Sequence, residues 1–140
     1  MPSVEHQRLV LWVARKMVAD GLVLTGFDGP TPQGGVWNDL PKPQSVGAFR
    51  PDVSGAFANA VDCAYGEAKT EDDIDRPHTG DQVRSLATAR NVCLLYLAVP
   101  RSAAYRLDRV LARVALPRTT RIVRIHVPDC FVREAENDYA

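Results

Sequence analysis

Apolar residues at Leu9, Val10, Val13, Met17 and Val18 recur with the helical period and predict an amphipathic helix from about Ser3 to Asp20. Ser3 is placed to cap its start and Gly21 to stop it. The short apolar run Leu22 to Phe27 reads as a strand. Asp28 to Arg50 then breaks every period, with Pro30, Pro32, Pro41 and Pro43 interleaved with Gly29, Gly34, Gly35 and Gly47. A loop of that length inside a small domain commonly has a function of its own. Trp37 and Phe49 can anchor it by packing, or stack on a substrate base. Two strand-like stretches follow, Asp52 to Phe57 and Asp62 to Thr70, linked near Asn59. Past a polar stretch from Glu71 to Gly80, a helix is expected from about Thr79 to Arg90. The near-continuous apolar run from Asn91 to Val99 has the pattern of a strand covered on both faces. Ser102 to Leu116 reads as a second amphipathic helix, with Ala103, Leu107, Val110, Leu111 and Val114 on one side and Arg106, Arg109 and Arg113 on the other. Arg121 to Val127 closes the series as a strand, before a polar tail over 128–140. The expected order is α-β-β-β-α-β-α-β, a single α/β domain over 1–140 with a mixed sheet flanked by helices.

Composition narrows the chemistry. With 17 basic and 17 acidic residues in 140, the chain does not suit a protein that coats nucleic acid by charge alone. The balance leaves room for a local basic face beside an acidic site. The cysteines, Cys63, Cys93 and Cys130, are odd in number and form no CxxC pair, which argues against a zinc ribbon or a cysteine-ligated cluster. Cys93, inside an apolar run, is expected as a small buried hydrophobe. Charges through the first two turns of Met1 to Asp20 leave no uninterrupted apolar segment, so neither a signal peptide nor a membrane span is expected and the cytoplasm is the default location.

The candidate chemistry comes from register. If the two middle strands form a hairpin whose turn is centred between Asn59 and Ala60, Asp52 falls opposite Glu67. Opposed residues on one face of an antiparallel pair have Cβ atoms about 4.5–5.5 Å apart. Lys69 lies two residues on and shares the face of Glu67. Two adjacent carboxylates repel unless a cation sits between them, and oxygen ligands of this kind suit Mg²⁺ or Mn²⁺. Such a metal polarises a phosphodiester and lowers the pKa of a water, which Lys69 could orient or deprotonate. Ordinary charges on an exposed strand face would spell the same letters. Here the preceding residues Cys63, Ala64, Tyr65 and Gly66 read as half-buried, and charges in such a place call for a reason.

Pro51-Asp52 and Glu67-Ala68-Lys69, on the second and third strands after an N-terminal helix, resemble the PD-(D/E)xK nuclease superfamily. The resemblance runs from about Val4 to Val127. It implies the restriction-endonuclease-like αβββαβ core with a C-terminal α-β extension. It also implies a metal held by Asp52, Glu67, the Ala68 carbonyl and an acid on the first helix, for which Glu5 is the candidate. Helix N-terminal electrostatics alone would also favour an acid at Glu5. Lys69 would serve the attacking water, and Gln82 fits the glutamine that several branches place near the lysine, a surface role being the alternative. The implied reaction is Mg²⁺- or Mn²⁺-dependent hydrolysis leaving 5′-phosphate and 3′-hydroxyl ends, with DNA expected before RNA and a homodimer expected for so small a domain. Branched or junction DNA is one substrate class within that reading.

Other residues bear on nucleic-acid contact. His78 precedes the Gln82 helix and could reach phosphate, and Arg84 could follow a backbone. His6, His78 and His126 are too scattered to suggest a metal cluster by spacing. Glu71, Asp72, Asp73 and Asp75 form an acidic patch that sits oddly beside a polyanion's site; it reads as a solvated loop or a brake on binding. Gly34-Gly35 lacks the lysine and helix of a phosphate loop, and no serine-hydrolase elbow occurs. A different class remains open: a non-catalytic nucleic-acid-binding or assembly module, or a nuclease active only with a protein partner.

Overall fold

The computed structural model describes residues 3–30, 37–58 and 60–133. Helix α1 (Val4–Ala19) begins where the Ser3 hydroxyl accepts the His6 N–H at 3.1 Å, and it buries Leu9, Val10, Val13, Ala14 and Met17. It is followed by β1 (Val23–Phe27), β2 (Val53–Ala56), β3 (Ala64–Ala68), α2 (Pro77–Ala87), β4 (Leu94–Pro100), α3 (Ala104–Arg113), β5 (Arg121–Val127) and α4 (Asp129–Arg133). The five strands form one mixed sheet in the order β1-β2-β3-β4-β5. Pairing is antiparallel from β1 to β3 and parallel from β3 to β5.

Helix α1 lies on one face of the sheet and α2 with α3 on the other, so two apolar layers share one sheet. On the first face, the α1 stripe meets Val53, Ala64, Ala68, Tyr96 and Ala98. On the second, Val83, Leu86, Leu107 and Leu111 meet Tyr65, Leu95, Leu97 and Val99. Strand β4 therefore alternates between two cores, which is why its sequence is apolar at every position. Gly66 marks where α1 comes closest: a Cβ there would lie 2.2 Å from Val13 Cγ1. Val13 is β-branched and fully buried, so it has little freedom to move aside. Gly66→Ala is expected to cost on the order of 1–3 kcal/mol by overpacking, read as a lowered midpoint in chemical denaturation.

The Pro/Gly stretch is ordered by packing where it is described. Trp37 packs on Phe27, ring centroids 5.2 Å apart, and it joins Leu40 against the α1-side core. Pro41 then accepts the Phe27 N–H at 2.9 Å along the outer edge of β1. Pro43 lies so close over Gly26 that a Cβ would meet its Cα at 2.7 Å, and Val46 reaches the α2–α3 core. The segment thus wraps β1 from one face to the other, covering an edge that would otherwise invite another strand. A bulge between Leu24 and Gly26 lets both Leu24 and Phe27 face α1.

Several expectations shift. Helix α2 starts earlier than Thr79, with Pro77 in its first turn, and ends at Ala87, where the Thr88 hydroxyl turns back onto the Arg84 carbonyl. Asn91, at φ 67°, completes the turn into β4. The tail is not merely polar: α4 buries Val132 beside α1, and Phe131 stacks on Trp12 at 5.9 Å. Cys93 is half-buried rather than enclosed. The turn centre at Asn59, the Gly34-Gly35 pair and the chain beyond Arg133 lie outside the described residues. No helix among the described residues is long and apolar enough to cross a membrane.

Candidate metal and active site

Strands β2 and β3 pair as Val53–Gly66, Ser54–Tyr65 and Gly55–Ala64, the register that sets Asp52 against Glu67. Asp52 stands just before β2, where the ladder ends. Its N–H lies 3.0 Å from the Gly66 carbonyl and 2.9 Å from Glu67 Oε1. Its own carboxylate turns back to accept the Ala68 N–H at Oδ2, 2.9 Å away. Each carboxylate therefore accepts a backbone N–H from the other strand, Glu67 from Asp52 and Asp52 from Ala68. In a strand the N–H and C=O of one residue point to the same side, so the Ala68 carbonyl faces the Asp52 edge as well.

Glu67 and Lys69 project on the α2 side. Lys69 Nζ donates to Gln82 Oε1 from α2 and stands 3.8 Å from Glu67 Oε2. Glu67 is only 5% exposed. Burial pushes its carboxyl well above the ordinary range, the Asp52 charge pushes the same way, and Lys69 opposes both in part.

His6 is the residue that sequence reasoning missed. Its Nε2 lies 3.2 Å from Asp52 Oδ2. Burial of the ring works against the imidazolium, but the hydrogen bond and charge of Asp52 outweigh it and raise the His6 pKa. Its Nδ1 is buried without a protein partner. The signal was present: His6 continues the buried stripe Val10, Val13 and Met17 back by one turn. Glu5, one position earlier, is exposed, since one helical residue is a rotation of about 100° away from the His6 side. The residue of the first helix that reaches Asp52 is thus His6.

The two nucleic-acid candidates separate on α2. His78 is exposed and stands one turn before Gln82, on the same side of the helix. Arg84 is turned away, lying 3.6 Å from Asp81 and lining, with Arg76 and Arg113, a hollow of about 230 Å³ between α2 and α3. The acidic stretch is not a bare anionic patch. Asp73 pairs with Arg76 at 3.0 Å, Asp75 with Arg106 at 3.5 Å and Glu71 with Arg133 at 3.2 Å, which ties this loop to α3 and α4.

Among the described residues no group of three or more His, Cys, Asp or Glu side chains is gathered closely enough to hold a metal by itself. The donors present fit a hard divalent cation of a particular kind. Mg²⁺ is commonly held by one or two carboxylates, with waters and substrate phosphate oxygens completing its shell. Asp52, Glu67 and the Ala68 carbonyl make such a set, and the Asp52 charge, which adds to burial in raising the Glu67 pKa, is a repulsion that a cation between them would relieve. Comparisons with protein-family models, with curated proteins and with solved structures find no match to this chain.

Proposed function

We propose that the protein is a divalent-metal-dependent phosphodiesterase with the restriction-endonuclease-like core, hydrolysing nucleic acid, DNA before RNA. The observation that carries this reading is the opposed pair Asp52 and Glu67, with Lys69 held between Glu67 and Gln82. The element order α1-β1-β2-β3-α2-β4 adds support, with α3 and β5 as the extension. Asp52, Glu67 and the Ala68 carbonyl would hold Mg²⁺ or Mn²⁺. When bound, the metal polarises the phosphate and acidifies a water.

The chain's own residues supply the rest. An ammonium has three donors. Lys69 spends one on Gln82, leaving others to orient the attacking water and to stabilise charge on a non-bridging phosphate oxygen. In the step itself the water gives up a proton as its oxygen bonds to phosphorus, the P–O3′ bond breaks, and the leaving 3′ oxygen takes up a proton to become a hydroxyl. His6 fixes the rotamer of Asp52 from α1, while the Ala68 N–H holds the same oxygen from β3. One site cuts one strand, so two copies of the chain would be needed to cut both at once; a monomer in light scattering at working concentration removes the dimer from this reading.

The direct test incubates purified protein with supercoiled, linear, single-stranded and branched DNA and with RNA, in Mg²⁺ or Mn²⁺. Cleavage of none of them would sink the proposal. Gln82→Ala is expected to slow cleavage by roughly fivefold, as for a lost hydrogen bond of about 1 kcal/mol. Mn²⁺ affinity by calorimetry should be unchanged, since Gln82 bonds the lysine and is not among the candidate ligands.

A further inference from the structure

At the opposite end of the sheet, a second pair of side chains is brought together that spacing in the sequence does not suggest. The parallel register Ala64–Leu94 sets Cys63 beside Cys93 one residue earlier. Backbone hydrogen bonds hold this row across four strands: Cys63 N–H to the Gly55 carbonyl at 3.0 Å, Cys93 N–H to the Cys63 carbonyl at 2.8 Å, and Arg121 N–H to the Cys93 carbonyl at 2.9 Å. Both residues are free and half-buried, and the Cys93 thiol pKa is raised first by burial and then by the neighbouring Cys63. Neighbouring strands lie about 4.7–4.9 Å apart, inside the Cα separation of about 4.4–6.8 Å that a disulfide spans. Cys93 also borders an open hollow of about 600 Å³, with Lys16, Phe57, Tyr96 and Arg121 in its wall. A small reagent can therefore reach it from solvent.

We propose that Cys63 and Cys93 are a modification site, a dithiol that closes to an intramolecular disulfide by exchange with a small-molecule disulfide. One cysteine thiolate attacks the reagent, breaking its S–S bond and releasing one thiol, and forms a mixed disulfide. The second cysteine then attacks the protein sulfur of that mixed disulfide and releases the second thiol. One S–S bond is lost, one is gained, and the two cysteine protons end on the two released thiols. The loop closed in this way runs from Cys63 to Cys93 and contains Glu67, Lys69 and Gln82. Oxidation thus staples the β3-α2-β4 crossover that carries most of the candidate site. This inference does not depend on the nuclease reading, since it concerns the far ends of the two strands.

The experiment uses the full chain carrying Cys130→Ser, because Cys130 is exposed and would otherwise exchange on its own account. Native protein is incubated with oxidised glutathione, then analysed by intact mass and by peptide mapping without reductant. The expected product is lighter by two hydrogens, joins the Cys63 and Cys93 peptides, melts at a higher temperature, and reverts with dithiothreitol. Adding Cys63→Ser or Cys93→Ser should leave a glutathione adduct that cannot resolve. Two thiols left free, stable adducts on both cysteines, or disulfide-linked dimers would each overturn the proposal. So would a cross-linked product whose melting temperature does not rise.

Discussion

Lys69→Ala should slow phosphodiester cleavage by roughly two to four orders of magnitude, the range for removing a positioned proton-transfer or charge-stabilising group. The same variant should still bind Mn²⁺, because Lys69 faces Glu67 Oε2 at 3.8 Å and is not a metal donor. Asp52→Ala should behave differently. It removes a candidate ligand and also the acceptor shared by the Ala68 N–H and His6 Nε2. Mn²⁺ binding should be lost along with cleavage, and stability should fall by about 1–3 kcal/mol for the donors left unpaired. Single-turnover cleavage, calorimetry with Mn²⁺ and urea titration on the two variants separate the cases. Cleavage unchanged in both variants would end the active-site assignment, and Mn²⁺ binding unchanged in Asp52→Ala would end the metal assignment.

What was legible in the sequence follows from which forces are local. Helix α1 was readable nearly to the residue, because a period and a cap determine it, and β5 matches its expected span Arg121–Val127. The β2–β3 register was readable from one hairpin, and with it the pairing of Asp52 with Glu67. Gln82 was suggested only by the family resemblance; α2, seated by its buried Val83 and Leu86, brings it to Lys69. His6 was readable in principle, since it extends the buried stripe of α1 by one turn toward Asp52. The wrapping of 37–50 around β1 had no local signature. It depends on Gly26 admitting Pro43 and on Phe27 meeting Trp37, contacts that exist only once the sheet is assembled. The Arg133–Glu71 and Arg106–Asp75 pairs and the Cys63–Cys93 neighbourhood are likewise products of tertiary structure. The small helix α4 was hidden because a single turn with one buried side chain, Val132, leaves no periodicity to detect.

The buried carboxylate Glu67 gives the second large effect, a stability that falls as pH rises in the metal-free protein. Its folded-state pKa is raised above the ordinary 4.5, first by burial and then by Asp52, against the pull of Lys69. A group raised on folding binds its proton more tightly in the native state. Its contribution is therefore complete below pH 4.5 and is lost as pH climbs from there through the folded pKa. The slope for one proton is at most about 1.4 kcal/mol per pH unit. His6 acts with the same sign but in a later window, above its ordinary 6.5. Asp20, lowered chiefly by its hydrogen bond from Lys16, acts with the opposite sign, and its change is finished below the Glu67 window. Melting curves in chelator should thus decline from mildly acidic pH toward neutrality, and Mg²⁺ should flatten the decline by compensating the ionised pair. Glu67→Gln should melt higher than the parent in chelator at neutral pH, show no Mg²⁺ response, and cleave nothing. That combination, a gain in stability with loss of activity, is what a carboxylate retained for a cation predicts and what a structural one does not. A flat or rising curve in chelator across this window would show that the pair carries no electrostatic strain, and the site would lose its physical reason for recruiting a metal.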